Sequence, residues 1–295
     1  MIQSSATAGL QLTSSAREAF DLVCARKRAG KTVGLVPTMG ALHAGHLSLV
    51  ERSLRECDYT VVSIFVNPKQ FAPHEDLSKY PRNLDEDLAK LGAIDVDLVF
   101  APPVEEIYPP DFSTYVDVGM LAEPWEGQFR PGHFRGVATV VLKLFQIAPA
   151  DRAYFGRKDY QQVRVVQKVV ADLNLPIEIE VCPIVRADDG LALSSRNVYL
   201  SDSERKSALV ISRSLKQARE MFAAGERNGT QIRDRLARGI AAEPGVKLEY
   251  AAIVDPATLA ELPSIEGSAV ALVAAKVGHT RLIDNEVLGP LKAER

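Results

Sequence analysis

The first half of the chain alternates helical periodicity with short apolar runs, and this alternation constrains the fold more than any other feature. Apolar runs predict strands at residues 32–37, 59–66, 96–100, 152–155 and 177–181. Amphipathic patterns predict helices at 13–29, 46–57, 84–91, 135–147 and 160–173. Strands that are covered on both faces are continuously apolar, so the pattern predicts an α/β fold with a parallel sheet and helices on both faces.

The pattern changes after about residue 185. Two helices are predicted at 202–224 and 231–242, and strands follow at 247–254, 269–277 and 280–283. Helices followed by consecutive strands indicate a smaller α+β domain with antiparallel strands. We therefore expect two domains, residues 1–185 and residues 186–295.

Composition narrows the class of protein. The 295 residues carry a net charge of -3, so no basic surface for nucleic acid or membrane is expected. The three cysteines, Cys24, Cys57 and Cys182, are widely spaced and odd in number, which fits a reducing compartment. The first residues lack a basic segment followed by an apolar one, and no apolar run is long enough to span a bilayer. These features predict a cytoplasmic protein.

Ligands of parallel sheets bind beyond the carboxyl ends of the strands, and the first such end carries two histidines. His43 and His46 share one face of a predicted helix start, and Gly40 and Gly45 allow a ligand to approach the backbone closely. Free backbone N–H groups and two imidazoles would suit a phosphate. A solvated helix start and half of a metal site remain alternatives. A P-loop is excluded because the glycine it needs is replaced by Ala25.

The segment from Pro37 to His46 resembles the HIGH-type motif of the adenylyl-transferring Rossmann-like superfamily. In its fuller form it resembles the pantothenate synthetase family. A second motif of that family, a serine-basic loop, matches the segment from Leu193 to Asn197. This loop follows Asp188-Asp189-Gly190 at the expected domain junction, where it could close over a triphosphate. The resemblance implies a Rossmann-like first domain and a C-terminal lid domain that begins with this loop.

The resemblance also implies which residues contact ATP. His43, His46, Lys158 and Arg196 are expected to act in catalysis by placing positive charge and donors at the phosphates. The full expected ATP-contacting set is Met39, Gly40, Ala41, Leu42, His43, Ala44, Gly45, His46, Gly156, Arg157, Lys158, Asp159, Val185, Leu193, Ser194, Ser195 and Arg196. Arg157 departs from the family pattern, which has an acidic residue there, and this puts the contribution of that position in doubt.

Two further strand ends carry glutamines. Gln70 lies in Phe65-Val-Asn-Pro-Lys-Gln-Phe71, a complete family motif, and Gln162 follows the strand at 152–155. Amide groups both donate and accept, which suits a substrate with hydroxyls and a carboxylate. The resemblance implies that Gln70 and Gln162 bind pantoate and that Gln70 also lies close to β-alanine. Asn67, Arg130 and His133 are expected near the same acid site.

The implied reaction joins pantoate to β-alanine through a pantoyl adenylate and releases AMP and pyrophosphate. The resemblance further implies Mg²⁺ and a homodimer. Asp85, Glu86 and Asp87 are interpreted as an ordinary acidic helix start, and no metal ligand is assigned among them. Two alternatives remain: another adenylyl- or nucleotidylyl-transferase of the superfamily, and a nucleotide-binding module without catalysis. A tRNA synthetase is disfavoured by the acidic net charge.

Overall fold

The structure is a computed structural model that describes residues 9–73 and 75–290, and these residues form two compact units. The first unit ends at residue 183 but excludes the segments 124–126 and 158–161. Those segments belong to the second unit, together with the residues from 184 onward. No sequence pattern indicated that these two segments belong to the second unit. The expected boundary after residue 185 stays a prediction.

A parallel sheet of six strands forms the centre of the first unit. Its order is β1-β4-β3-β2-β5-β6. The strands are β1 Gln11–Thr13, β2 Val33–Thr38, β3 Tyr59–Ile64, β4 Leu98–Phe100, β5 Arg152–Gly156 and β6 Glu178–Cys182. The predicted α/β class is confirmed.

Helices connect these strands and cover both faces of the sheet. They are α1 Ala16–Arg28, α2 Ala44–Glu56, α3 Leu84–Gly92, α4 Val104–Ile107, α5 Glu126–Phe129, α6 His133–Ile147 and α7 Tyr160–Asp172. Alternate residues of β2 show the two layers. Leu35 is buried in a cluster with residues of α1 and α6, whereas Val36 is buried in a cluster with residues of α2 and α3.

The strand β1 was not predicted, because no pattern indicated a strand at Gln11 and Leu12, and Thr13 was assigned to the beginning of the first helix. Gln11 and Leu12 are exposed and only Thr13 is buried, so the segment lacks the apolar signature of its neighbours. It is nevertheless the edge strand of the sheet and pairs with β4 in parallel. The helix begins only at Ala16, where Ser15 caps it by accepting the Glu18 backbone N–H.

The order in which the chain adds strands to the sheet reverses at its middle. From β2 the chain proceeds outward through β3 and β4, and the later strands β5 and β6 lie on the other side of β2. The switch point of the topology therefore falls between β2 and β5. In open α/β sheets, ligands bind at the carboxyl edge of this point. The segments that follow Thr38 and Gly156 leave the sheet there.

The second unit combines two helices with an antiparallel sheet of three strands in the order β7-β8-β9. Its elements are α8 Asp202–Ala223, α9 Gly229–Ala241, β7 Val246–Val254, β8 Ala269–Val277 and β9 Thr280–Leu288. A separate apolar core packs both helices against β8. The predicted α+β organisation is confirmed, and β9 extends five residues beyond the predicted end at residue 283.

Candidate active site

The histidine loop, residues 39–46, connects β2 to α2 at the switch point. Gly40 and Ala41 both adopt left-handed backbone conformations, with φ of 78° and 51°. His43 is the N-cap of α2, and its Nδ1 accepts the Gly45 backbone N–H at 3.1 Å. The His43 backbone N–H in turn faces Nδ1 of His46 at 3.5 Å, which completes a capping box.

These hydrogen bonds determine which ring nitrogen of each histidine carries a proton. Nδ1 of His43 and Nδ1 of His46 both accept backbone N–H groups, so in the neutral rings Nε2 bears the hydrogen. The two rings stack with their centroids 4.0 Å apart. The helix start therefore presents two neighbouring imidazole groups as N–H donors beside its own positive dipole end. This geometry suits a polyphosphate.

A buried carboxylate of α3 holds the histidine loop. Asp87 is only 2 % exposed, and its two oxygens accept the backbone N–H groups of Ala41 at 2.9 Å and Leu42 at 2.7 Å. Lys90 donates to the Leu42 carbonyl at 2.7 Å. Burial raises the pKa of the Asp87 carboxyl above its usual value, although the two N–H groups act against that rise. The interpretation of Asp87 as part of an ordinary acidic helix start was incomplete.

The glutamine turn, residues 67–70, follows β3 and contains a 3-10 helix at Pro68–Gln70. Asn67 caps this helix by accepting the Lys69 backbone N–H. Gln70 is buried with 8 % exposure, and its amide nitrogen donates to the sulfur of Met39 at 3.1 Å. The first unit thus brings the glutamine turn into direct contact with the histidine loop.

Asn67 connects the glutamine turn to two other elements. Its amide nitrogen donates to the Gln70 side-chain oxygen at 3.0 Å and to the Gly136 carbonyl at 3.1 Å. Its oxygen accepts the Tyr108 hydroxyl at 2.8 Å. A Cβ at Gly136 would overlap the Lys69 carbonyl and lie 2.7 Å from the Gln70 nitrogen. The absence of a side chain at Gly136 therefore lets α6 approach the turn.

Arg130 and His133 contact the backbone of the same turn. The Gln70 carbonyl lies 2.9 Å from Nδ1 of His133 and accepts from Arg130 at 3.4 Å. Arg130 also forms two hydrogen bonds with the Glu75 carboxylate, at 2.6 and 3.0 Å. Burial opposes ionisation of Glu75, but the Arg130 guanidinium holds the pKa of this carboxyl below its usual value. Both predicted residues lie next to Gln70.

Gln162 and Gln161 differ in their surroundings. Gln162 lies in α7, is half-buried, and makes no side-chain hydrogen bond to any residue in the described part of the chain. Gln161 is buried and belongs to the second unit, where it accepts from Glu126 N and donates to the Pro124 carbonyl. Gln161 therefore has a structural role, while the amide of Gln162 is available to a ligand.

Gly156 ends β5 at the switch point, and a 3-10 helix at Arg157–Asp159 follows. A Cβ at Gly156 would meet no atom within 4 Å, so space is open beside it. Lys158 and Asp159 belong to the second unit and pair at 3.6 Å. Asn285 of β9, which is almost fully buried, donates to the Lys158 carbonyl at 2.8 Å and so fixes that segment.

The serine-basic loop follows a tight hairpin in the second unit. The Leu193 backbone N–H donates to the Val185 carbonyl, and Arg186 pairs with Ala192. Arg186 forms a bidentate ion pair with Asp284 of β9, at 2.6 and 3.0 Å. Ser194 then caps the 3-10 helix Ser195–Tyr199 by accepting the Arg196 backbone N–H. The loop is thus anchored at its base to β9.

Sequence patterns missed several residues that hold these segments. Asp87, Tyr108 and Asn285 each support a predicted site segment from a distant part of the chain. The acidic run gave the only signal for Asp87, and no pattern distinguished the other two. Among the described residues, no group of three His, Cys, Asp or Glu side chains could hold a metal ion.

Comparisons with known proteins agree over almost the whole chain. A family model described as pantoate-beta-alanine ligase matches residues 11–287. A pantothenate synthetase of Roseiflexus sp. (strain RS-1) is 56 % identical over 268 residues, which cover 91 % of this chain and 96 % of the relative. Another, from Pseudothermotoga lettingae, is 51 % identical over 269 residues, covering 91 % of this chain and 96 % of the relative.

Solved structures agree as well. The crystal structure of pantothenate synthetase from Thermus thermophilus has a TM-score of 0.90 and 48 % identity, covering 95 % of this chain and 100 % of that chain. A pantoate–β-alanine ligase from Francisella tularensis, complexed with "Beta-gamma ATP" and β-alanine, has a TM-score of 0.77 and 33 % identity. That match covers 95 % of this chain and 98 % of the other. The described helices include none with the length and apolar character of a membrane span.

Proposed function

The chain belongs to the pantoate–β-alanine ligase family, and we infer from this that it is an ATP-dependent ligase which joins pantoate to β-alanine. The pantoate carboxylate attacks the α-phosphate of ATP, which forms pantoyl adenylate and pyrophosphate. The amine of β-alanine then attacks the acyl carbon, which gives pantothenate and releases AMP. The observation that carries this conclusion is the family match from residue 11 to residue 287, because it spans every motif described above.

ATP is proposed to bind at the carboxyl edge of the switch point. The Nε2–H groups of His43 and His46 donate to its phosphates, and Gly156 leaves space for the nucleotide. The proposal is supported by the stacked rings at the start of α2 and by the open space at Gly156. The first unit would also contribute Met39, Gly40, Ala41, Leu42, Ala44, Gly45 and Arg157.

The second unit carries the remaining residues that we expect to contact ATP. Lys158 and Arg196 would place positive charge against the phosphates during nucleotidyl transfer. The anchoring of both segments to β9 supports this role, since fixed donors need no reorganisation during the reaction. The other expected contacts are Asp159, Val185, Leu193, Ser194 and Ser195.

Pantoate is proposed to bind Gln70 and Gln162, with β-alanine close to Gln70. Gln70 is held by Asn67 and by the contacts of Arg130 and His133 with its carbonyl, which supports a positioning role for these three residues. A fixed amide orients the pantoate carboxylate toward the α-phosphate. Such proximity supplies much of the acceleration, and no protein nucleophile is required.

We treat Mg²⁺ as part of the nucleotide substrate. Mg²⁺ keeps several waters and is usually held by one or two carboxylates together with substrate phosphates. The described residues contain no three-residue metal cluster, and both Asp87 oxygens already accept backbone N–H groups. A protein-held metal cage does not fit this donor set, so no carboxylate is assigned to the ion.

A homodimer and a cytoplasmic location are also proposed, on the family resemblance and the sequence pattern. Sedimentation velocity of the full chain tests the first proposal. A single species of about twice the 32.2 kDa chain mass supports the dimer, and a species of the chain mass contradicts it.

Two exchange and release assays test the activity. We expect ATP–pyrophosphate exchange to require pantoate, and AMP release to require the further addition of β-alanine. These two dependences identify the adenylate intermediate and both substrates. If ATP binds but pantoate supports no exchange, the proposed ATP site is retained and the assignment of pantoate as the acid substrate is wrong.

A further inference from the structure

A groove lies between α8 and α9 in the second unit, and it has a volume of about 670 Å³. On α8 it is lined by Arg213, Ser214 and Gln217, and Gln217 lies one helical turn after both of the others, at spacings of four and three residues. On α9 it is lined by Arg235 and Arg238, which are one helical turn apart. A volume of this size accommodates a small molecule. None of these residues belongs to the proposed ligase site.

The groove, here named the arginine groove, has more positive than negative charge. Glu243 is the one carboxylate paired with its arginines among the described residues, and it faces Arg213 at 3.7 Å. Arg238 donates from Nε to the Asp234 carbonyl, and Arg235 forms no ion pair in the described part of the chain. Three guanidinium groups therefore share one acidic partner. Like charges at helical spacing repel, and a bound anion would relieve this repulsion.

A serine that lines the groove provides a second observation. Ser214 is 4 % exposed, lines the groove, and makes no side-chain hydrogen bond to a described residue. A Cβ at Gly239 would lie 2.9 Å from its oxygen, so the absence of a side chain there leaves the hydroxyl uncovered. The Ser214 hydroxyl therefore opens onto a groove that three arginines also line, where it can donate to a ligand that accepts hydrogen bonds.

We propose that the arginine groove is a binding site for a small phosphate-bearing anion, with Arg213, Arg235 and Arg238 contacting the phosphate oxygens and Ser214 donating from below. Guanidinium groups suit phosphate because they present paired donors in one plane. Gln217 adds an amide that can contact the part of the ligand beyond the phosphate. The site does not depend on the proposed ligase activity.

The test uses NMR of the arginine Nε–H signals in the full chain, assigned through Arg213→Lys, Arg235→Lys and Arg238→Lys. Inorganic phosphate replaces chloride at constant ionic strength and constant pH. We expect the three signals to shift together with one saturating constant, and the signal of Arg219, which is ion-paired with Glu286, to stay constant. AMP is titrated in parallel. A dissociation constant that is lower for AMP than for phosphate identifies a nucleotide as the source of the phosphate group. An equal or higher constant for AMP identifies free phosphate. Both results support the site.

Two variants keep the proposal falsifiable. Ser214→Ala should weaken binding roughly fivefold, because it removes one hydrogen-bond donor. Arg235→Gln combined with Arg238→Gln should weaken it at least about tenfold. Arg219→Gln removes the same charge from α8 outside the groove and should leave the constant unchanged. Shifts that rise linearly without saturation, or a constant that the double variant leaves unaltered, would overturn the proposal.

Discussion

The histidine loop and the glutamine turn lie in the same unit and touch through Met39 and Gln70, yet they are held by different means. The histidine loop contains two residues with left-handed backbone conformations, Gly40 and Ala41. The Asp87 carboxylate accepts hydrogen bonds from the backbone N–H groups of Ala41 and Leu42. The glutamine turn is held by a hydrogen bond within it, from Asn67 to Gln70, and by the contacts of Arg130 and His133 with the Gln70 carbonyl. If one side chain holds a segment, its removal should cause a large loss of activity. If several side chains hold the segment, the removal of any one of them should cause only a small loss.

The largest effect should come from the histidine loop itself. We expect His46→Ala to lower kcat by about 100- to 1000-fold, the usual loss when a donor to a developing charge is removed. Steady-state kinetics measure this loss, and circular dichroism should show an unchanged fold. His279→Ala is the matched control, because that histidine is exposed and outside the proposed site. Wild-type turnover by His46→Ala would reject the assigned role.

Two glycine substitutions compare how closely the two segments are packed. Gly136→Ala affects the glutamine turn, and Gly40→Ala affects the histidine loop. The first change places a Cβ 2.2 Å from the Lys69 carbonyl oxygen, where only backbone could give way, and should lower the free energy of unfolding by about 3 kcal/mol. The second places a Cβ 2.9 Å from an Asp87 oxygen at positive φ and should cost about 1–2 kcal/mol. Urea titration, followed by amide signals of the first unit, measures both. The reverse order would contradict this comparison.

Asp87→Asn tests the principal support of the histidine loop. An amide keeps one acceptor and turns a donor toward the second N–H, so one charge-assisted hydrogen bond is lost. We expect kcat/KM for ATP to fall roughly 30-fold, equivalent to about 2 kcal/mol. Amide exchange at Ala41 and Leu42 should quicken as well, which separates a positioning effect from direct ligand contact. Glu86→Gln, at an exposed neighbour paired with Lys90, should change kcat/KM less than about twofold.

Tyr108→Phe tests whether the glutamine turn has redundant support. It removes one hydrogen bond to the Asn67 oxygen, which still accepts the Lys69 N–H. We expect KM for pantoate to rise only about fivefold, which corresponds to about 1 kcal/mol. Tyr115→Phe keeps its ring contacts with Phe112 and Arg135 and serves as the control. A loss as large as that of Asp87→Asn would show that the turn also has one principal support.

The two carboxylates should titrate on opposite sides of their ordinary values. Carboxyl ¹³C NMR should place the pKa of Asp87 above 3.8 and the pKa of Glu75 below 4.5. The Glu75 contribution to stability is complete above its unfolded pKa and is lost as the pH falls through the folded value. The Asp87 contribution has the opposite sign, because its folded form binds the proton more tightly and loses stability as the pH rises. A pKa of Asp87 below 3.8 would contradict the dominant effect of burial there, and a pKa of Glu75 above 4.5 would contradict its stabilisation by Arg130.

The sequence predicted elements well where one pattern sufficed. Val33–Thr38 and Ala269–Val277 are almost wholly apolar and almost wholly buried, so their strands follow from one local pattern. The sequence pattern did not predict the strand Gln11–Thr13. This strand forms at the edge of the sheet because it pairs with β4, although its local pattern is weak. Motif residues such as His46 and Gln70 were predicted by resemblance. Their supports were not, because Asp87 and Tyr108 act on residues more than 40 positions away and such proximity leaves no local pattern.

The contacts of Glu126 limit how genes of related proteins can be recombined. This residue is separated from the rest of the second unit in sequence, yet its carboxylate accepts two hydrogen bonds from Arg281 and one from Tyr250. A gene fragment that begins at residue 184 would encode Arg281 without this partner, so that the partly buried guanidinium would pair with Glu249 alone. Chimaeras joined near that position must therefore exchange residues 124–126 and 158–161 as well, because the second unit is discontinuous in the gene.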